Sequence, residues 1–204
     1  SGRSDQLDQL EAVFGVGEAG LGHAATQFFN AFTDVSTKPQ DETARQVALA
    51  RAGDLASRYN AAARQIDTLQ AGGTQQIQVS VTSVNSLTQQ IAALNKSIVD
   101  ARGLGQPPND LLDKRDTAIN DLSQYVQVST VPADDGSLSV FLGGGQALVV
   151  GAQTTKLLAM YDPYDATRAV IGVAGQDGSR QIPDSLLSSG SISGLLRFQN
   201  SDLT

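Results

Sequence analysis

The spacing of apolar residues separates a helical first part of the chain from a second part made of short strands. No proline occurs between residues 40 and 101, and apolar positions recur there in steps of four and three residues, as in a coiled-coil seam. Two consecutive four-residue steps interrupt the pattern and indicate a stutter, and Gly72 and Gly73 at this point predict a bend or a break. The seam has two registers: Leu55, Tyr59, Ala62, Ile66 and Leu69, then Val84, Leu87, Ile91, Leu94 and Ile98.

Two shorter helices are predicted before the long one. Apolar residues at three- and four-residue spacing make the start of the chain a short amphipathic helix, which the glycine-rich segment 15–22 ends. A second helix is expected from about residue 21 to residue 35. We expect Phe28, Phe29 and Phe32 to lie on its buried face.

The segment NDLLDKRD, residues 109–116, follows two prolines and carries five charged side chains. Pro107 and Pro108 block helix before it, so Asn109 or Asp110 is expected to act as the N-cap of a new helix, with Asp113 in its first turn. Carboxylates spaced by three residues could in principle bind a divalent ion or act as general acid and base. A solvated first turn offers little of the desolvation that such catalysis needs, so we interpret the segment as a capped helix start.

Arg115 is the unusual residue of this segment. It falls on the apolar seam between Leu112 and Ile119, where a charged side chain needs a partner. We predict that it contacts a carboxylate or the carbonyl groups of a helix end on a neighbouring helix.

After residue 128 the composition shifts to Gly, Val, Ser and Thr in short alternating runs. VQVSTV and SLSVFL flank PADDG, in which Asp135-Gly136 predicts a hairpin turn. ALVVG, TKLLAMY, RAVIGVA and RQIP are further predicted strands, the last two joined through GQDGS. The predicted class is α+β: an elongated antiparallel helical bundle with long coiled-coil-like helices, followed by a smaller, mostly antiparallel β domain. The expected divisions are a helical domain over 1–128, a β-rich domain over 129–190, and the start of a returning helix over 191–204, cut short.

Charge and composition exclude several functions. The formal charge of -7 argues against binding nucleic acid, and no apolar run is long enough to cross a membrane. The absence of cysteine excludes thiolate chemistry and cysteine-bound zinc, and His23 is the only histidine. No cofactor site is predicted.

Five segments, in this order, resemble the flagellar hook-associated protein 1 family, which forms the hook-filament junction of bacterial flagella. They are FFNAFTDVSTKPQDETARQ, VNSLTQQIAALNKSI, NDLLDKRDTAINDLSQYVQVSTV, DDGSLSVFLGGGQALVVG and IPDSLLSSGSISGLLRFQNSDL. The most specific part is the motif formed by Asn109, Asp110, Leu111, Leu112, Asp113, Arg115 and Asp116.

The resemblance implies a non-enzymatic structural protein needed for filament assembly and motility. It also implies secretion by type III export to the extracellular flagellum, and an internal fragment that lacks the family's terminal segments. The implied partners are the hook protein, the second hook-associated junction protein, further copies in a ring, and an export chaperone for the full-length chain. The alternatives are another axial protein, namely a hook protein, a flagellin-like protein or the second junction protein, and an enzyme using Asp110, Asp113 or Asp116.

Overall fold

The computed structural model describes residues 2–15, 17–143, 145–175 and 178–203. A long helix is followed by antiparallel sheets, which confirms the α+β class. The helices are α1 (Gly2–Phe14), α2 (Leu21–Thr37), α3 (Glu42–Gly103), α4 (Asn109–Tyr125) and α5 (Ser191–Arg197), with short 3-10 helices at Gly17–Ala19 and Asp184–Leu186 and a π-helix at Phe198–Asp202. The strands are β1 (Val128–Pro132), β2 (Leu138–Leu142), β3 (Ala147–Val150), β4 (Gln153–Thr154), β5 (Leu157–Tyr161), β6 (Ala169–Gly175) and β7 (Gly178–Gln181).

Helix α3 runs for 62 residues without interruption. It passes through Gly72 and Gly73, so the predicted break is wrong. A glycine inside a helix costs about 1 kcal/mol relative to alanine, which packing elsewhere along the helix must offset. None of the described helices has both the length and the apolar content that a membrane crossing requires.

The chain forms two compact units whose boundary falls at these glycines. One unit is Ser4–Ala71, and the other contains the chain from Gly72 onward together with Arg3. The predicted divisions after residues 128 and 190 follow changes in secondary structure rather than packing. They stay a proposal.

The unit Ser4–Ala71 has a thin apolar interior. Its buried hydrophobic residues, among those described, are Ala24, Ala31, Ala62 and Leu69. Tyr59, a member of the first predicted register, is 58% exposed. The first register of the seam is therefore only partly covered within this unit.

The three phenylalanines of α2 do not form a buried face. Phe29 and Phe32 are 63% and 60% exposed, and Phe28 is half-buried, so the prediction is wrong for Phe29 and Phe32. The buried residues of the helix are instead Ala24 and Ala31, seven residues apart on one face. Small side chains let the helix backbone lie close to a neighbouring element. The rings cluster with each other, with the Phe28 centroid 5.4 Å from that of Phe29 and 6.2 Å from that of Phe32.

The other unit contains the main core. Residues at seven-residue spacing on α3 are fully buried there: Ile77, Val84, Ile91 and Ile98. Ile77, Val84 and Ile91 belong to a cluster with Leu122 of α4, the inward side chains of the strands, and Leu195 of α5. The second predicted register therefore holds at its three β-branched members, Val84, Ile91 and Ile98, while Leu87 and Leu94 are half-buried.

Two antiparallel sheets complete this unit. Their orders are β1-β2-β3-β4 and β5-β6-β7, and an irregularity between Val140 and Phe141 shifts the register of β2 against β3. The predicted hairpin at Asp135-Gly136 joins β1 to β2. Gln176 and Asp177 of the predicted turn GQDGS lie outside the described residues.

Candidate functional site: the junction around Arg115

Helix α4 begins at Asn109, whereas a side-chain cap by Asn109 would have it begin at Asp110. Asn109 is already helical, the cap position is Pro108, and no side chain caps the helix. The Pro108 carbonyl accepts hydrogen bonds of 3.0 Å from the N–H groups of Leu111 and Leu112. The expected N-cap at Asn109 or Asp110 is therefore wrong, and the acidic residue in the first turn is Asp110 rather than Asp113.

The structure places the carboxylates of the motif in solvent. Asp110, Asp113 and Asp116 are exposed, as is Asn109, whereas Leu111 and Leu112 are half-buried. Within the described residues, no group of three or more His, Cys, Asp or Glu side chains is arranged to bind a metal ion. The three aspartates are thus not brought together in a desolvated site.

Arg115 is the buried member of the motif, with 6% of its surface exposed. Its Nη1 donates to Oδ1 of Asn95 on α3, at 3.1 Å, and to the carbonyl of Gly136 in the β1–β2 turn, at 2.9 Å. The prediction of a partner on a neighbouring helix is confirmed by Asn95 of α3. The predicted chemical group, a carboxylate or the carbonyls of a helix end, is wrong, because the partners are a side-chain amide and a turn carbonyl. Burial lowers the pKa of Arg115, with nearby Asp116 opposing this and Arg102 adding to it. An arginine keeps its charge in proteins, so the buried cation is stabilised mainly by neutral dipoles.

Asn95 is the centre of the junction and is fully buried. Its Nδ2 donates to the carbonyls of Leu138, at 2.7 Å, and Gly151, at 2.8 Å. Its Oδ1 accepts from Leu138 N–H, at 3.1 Å, and from Arg115. Leu138 is the first residue of β2 and stands in a non-hydrogen-bonded pair with Pro132, so its N–H and carbonyl point away from β1. The amide of Asn95 therefore satisfies both backbone groups of this strand start.

Gly136 connects the hairpin turn to both arginines. Its φ of +90° suits glycine, and a Cβ at this position would lie 2.6 Å from the guanidinium carbon of Arg102. Its carbonyl accepts the hydrogen bond from Arg115. In the same turn Asp135 accepts a 2.8 Å bond from Ser137 N–H, and hydrogen bonding by Ser137 lowers the pKa of Asp135.

Two further side-chain amides repeat the role of Asn95. Asn85 of α3 donates to the carbonyl of Leu157 and accepts from its N–H, both at 2.9 Å. Gln199 of the π-helix accepts from Ala169 N–H at 2.8 Å and donates to its carbonyl at 2.9 Å. In each case the partner is the first residue of a strand: β2, β5 or β6. Heptad spacing did not predict these contacts, although an amide beside apolar positions is a sequence signal for them.

Two more residues of the π-helix, Asn200 and Asp202, make polar contacts at its end. Asp202 accepts a pair of 2.9 Å hydrogen bonds from Nε and Nη2 of Arg3, and this interaction lowers the pKa of Asp202. Asn200 donates to Asp184 at 2.8 Å and accepts from Arg168 at 2.5 Å. The segment RFQNSD therefore holds several elements of this unit together through neighbouring side chains.

The junction around Arg115 brings together guanidinium groups, an amide and backbone carbonyls. Such a set fixes the relative position of α3, α4 and the β1–β2 hairpin, and it supplies no nucleophile. The long heptad helix, the amide contacts at the strand starts and the two small sheets define a helical scaffold domain.

Comparison with known proteins identifies the family. The family model described as "Flagellar hook-associated protein FlgK helical domain" matches residues 7–204. The chain belongs to this family.

Individual relatives agree with this assignment. The chain is 28% identical to "Flagellar hook-associated protein 1" of Escherichia coli (strain K12) over 204 residues, covering 98% of this chain and 37% of that protein. The protein of the same name from Bacillus subtilis (strain 168) is 28% identical over 156 residues, covering 76% of this chain and 29% of the relative.

A solved structure is similar over nearly the whole chain. The flagellar hook junction protein FlgK from Burkholderia pseudomallei aligns with a TM-score of 0.88 and 37% identity, over 97% of this chain and 36% of that one. The chain thus spans a little over a third of the length of the relatives it matches most fully.

Proposed function

We propose that the protein is a structural component of the bacterial flagellum that forms the junction between hook and filament and is needed for filament assembly. The observation that carries this proposal is the TM-score of 0.88 over 97% of the chain to a protein described as a flagellar hook junction protein. Its role is to build an assembly rather than to catalyse a reaction. The exposed aspartates of the motif give an acid–base reaction no desolvated site.

The proposed partners are the hook protein, the second hook-associated junction protein and further copies in a ring, with an export chaperone before assembly. The unit Ser4–Ala71 supports assembly with further polypeptide, because several of its large apolar side chains are exposed while its buried ones are few. The exposed ones are Phe14, Phe29, Phe32, Val47, Leu49 and Tyr59. Phe29 and Phe32 cluster around Phe28, and contiguous apolar surface of this kind marks sites of protein contact.

We also propose a structural role for the motif 109–116. Arg115 attaches α4 to α3 and to the β1–β2 turn, and Leu111 and Leu112 are half-buried beside it in the sequence. The exposed residues Asn109, Asp110, Asp113 and Asp116 keep the outer face of the helix solvated. The proposed location is the extracellular flagellum, reached by type III export.

Complementation and labelling test the function. A deletion strain should lose motility and release filament subunits into the medium, and the full-length gene should restore swimming. Antibody labelling of isolated flagella should place the protein between hook and filament. Labelling along the hook or along the filament would instead assign it to another class of axial protein, and normal filaments in the deletion strain would disprove the proposal.

A further inference from the structure

Tyr164 lies in the loop between β5 and β6 and is 100% exposed. Tyr161, at the base of the loop, is 59% exposed. Single exposed apolar side chains are common on proteins, so exposure alone indicates nothing. The unusual feature is that the loop carrying this exposed ring is held in one conformation by many hydrogen bonds.

Backbone hydrogen bonds close the loop at both ends. The N–H of Asp162 donates to the carbonyl of Arg168 at 3.0 Å, and the N–H of Arg168 donates to the carbonyl of Asp165 at 3.0 Å. Asp165 N–H in turn donates to the carbonyl of Asp162 at 3.3 Å. Pro163 restricts φ between them.

Side-chain oxygens fix the rest of the loop. Asp162 Oδ1 accepts from Tyr164 N–H at 2.8 Å, and Asp165 Oδ1 accepts from both N–H and Oγ1 of Thr167, at 3.0 and 2.5 Å. Thr74 Oγ1 on α3 donates to the carbonyl of Thr167 at 3.1 Å. The Tyr164 side chain takes part in none of these bonds, so the loop is ordered without it.

The loop that carries the ring has more acidic than basic side chains. Asp162 and Asp165 flank Tyr164 in the sequence, and hydrogen bonding by Thr167, together with the charge of Arg168, lowers the pKa of Asp165. Arg168 is the basic residue of the loop, and its Nη2 donates to Asn200. An exposed aromatic ring on a loop of negative net charge attracts a cationic side chain through both the ring quadrupole and charge.

We propose that residues 162–168 form a contact surface for a different protein, and that Tyr164 receives a lysine or arginine side chain of that partner. A preformed loop loses little conformational entropy on binding, and tyrosine is enriched in interfaces. The chain carries a net charge of -7, so a second copy offers this acidic loop an unfavourable surface. The inference rests on the proposed function, because the flagellar assembly supplies the partner.

Site-specific crosslinking in the full-length protein tests the contact. A photo-reactive benzoylphenylalanine replaces Tyr164 in one strain and, as a matched control, Leu104 in another, since Leu104 is 77% exposed in the connection between α3 and α4. Position 164 is expected to give a product with a different flagellar protein through a peptide that contains lysine or arginine, and position 104 is expected to give none. A product between two copies, equal products at both positions, or no product at position 164 would overturn the proposal.

The same strains separate this inference from the proposed function. Absence of the protein from isolated flagella contradicts the proposed function, whereas its presence without the crosslink contradicts only the contact. The crosslinked partner is then purified for binding measurements. Tyr164→Ala should weaken its binding about two- to fivefold, as expected for an exposed cation–π contact, and Tyr164→Phe should keep it. Equal affinity of the three proteins would refute the role of the ring, and unchanged melting temperatures verify that the variants fold.

Discussion

Arg115 donates a 3.1 Å hydrogen bond to Oδ1 of Asn95, so the buried cation of α4 is held by a neutral amide of α3. A carboxylate at this position would neutralise the charge, but it could not also donate to Leu138 and Gly151 as the Asn95 amide does. The choice of asparagine thus follows from the need to satisfy a helix, a turn and a strand with one side chain.

Replacing Arg115 by methionine should destabilise the protein. The variant keeps most of the apolar stem but leaves Oδ1 of Asn95 and the Gly136 carbonyl each without its bond from Arg115. An unsatisfied buried polar group costs about 1–3 kcal/mol, so the free energy of unfolding should fall by roughly this amount. Urea unfolding measures it, with Lys114→Met, at an exposed position of the same helix turn, as the control. Equal stability of the two variants would show that the buried hydrogen bonds contribute nothing measurable.

The amide contacts at the strand starts predict local effects that hydrogen exchange can resolve. In Asn95→Ala the N–H of Leu138 loses its acceptor, and in Asn85→Ala the N–H of Leu157 loses its own. Each variant should speed exchange chiefly at its own strand start, because the two contacts lie in different sheets. The two variants serve as controls for each other, and uniform acceleration at both amides would mean that the contacts act only through global stability.

The heptad seam, the hairpin and the class of fold were predictable because each depends on residues close in sequence. Spacing alone located Val84, Ile91 and Ile98, and Asp135-Gly136 marked its own turn. The partners of Arg115 were not predictable in this way, because they lie 20 and 21 residues away on a helix and a turn that meet only in the folded unit. The prediction for Phe29 and Phe32 is wrong for a different reason. Large apolar side chains are expected in the interior, but the buried residues of α2 are alanines.

The glycines of α3 should be replaceable with a gain in stability. A Cβ added at Gly72 or Gly73 meets no atom within 4 Å, and both residues lie inside a continuous helix. Gly72→Ala should therefore raise the free energy of unfolding by about 1 kcal/mol, since alanine loses less backbone entropy in a helix. Thermal unfolding measures the change. A lower melting temperature would show that the helix uses the flexibility of glycine at the boundary between the two compact units.

Gly136→Ala is the matched substitution, and it should lower the free energy of unfolding where Gly72→Ala raises it. Its φ of +90° is unfavourable for alanine, and the new methyl group would displace the Arg102 guanidinium. We expect a loss of about 1–3 kcal/mol from the strained backbone. If Gly136→Ala were as stable as the parent protein, the turn would have to adopt a different conformation, which hydrogen exchange at Ser137 would detect.

The ion pair between Arg3 and Asp202 predicts a dependence of stability on acid pH. The pKa of Asp202 is lowered in the folded protein by the hydrogen bond from Arg3, so the contribution of this carboxylate is fully present above its unfolded pKa, near 3.8. That contribution is lost as the pH falls through the still lower pKa of the folded state. Asp202→Asn should thus be less stable than the parent at pH 7, and the difference should shrink below about pH 4. Urea midpoints at pH 7, 5, 4 and 3 measure this difference. Asp113→Asn, at an exposed position on α4, controls for the general effect of removing one carboxylate. A difference between Asp202→Asn and the parent that stayed constant down to pH 3 would mean that Asp202 stabilises the fold by packing rather than by its charge.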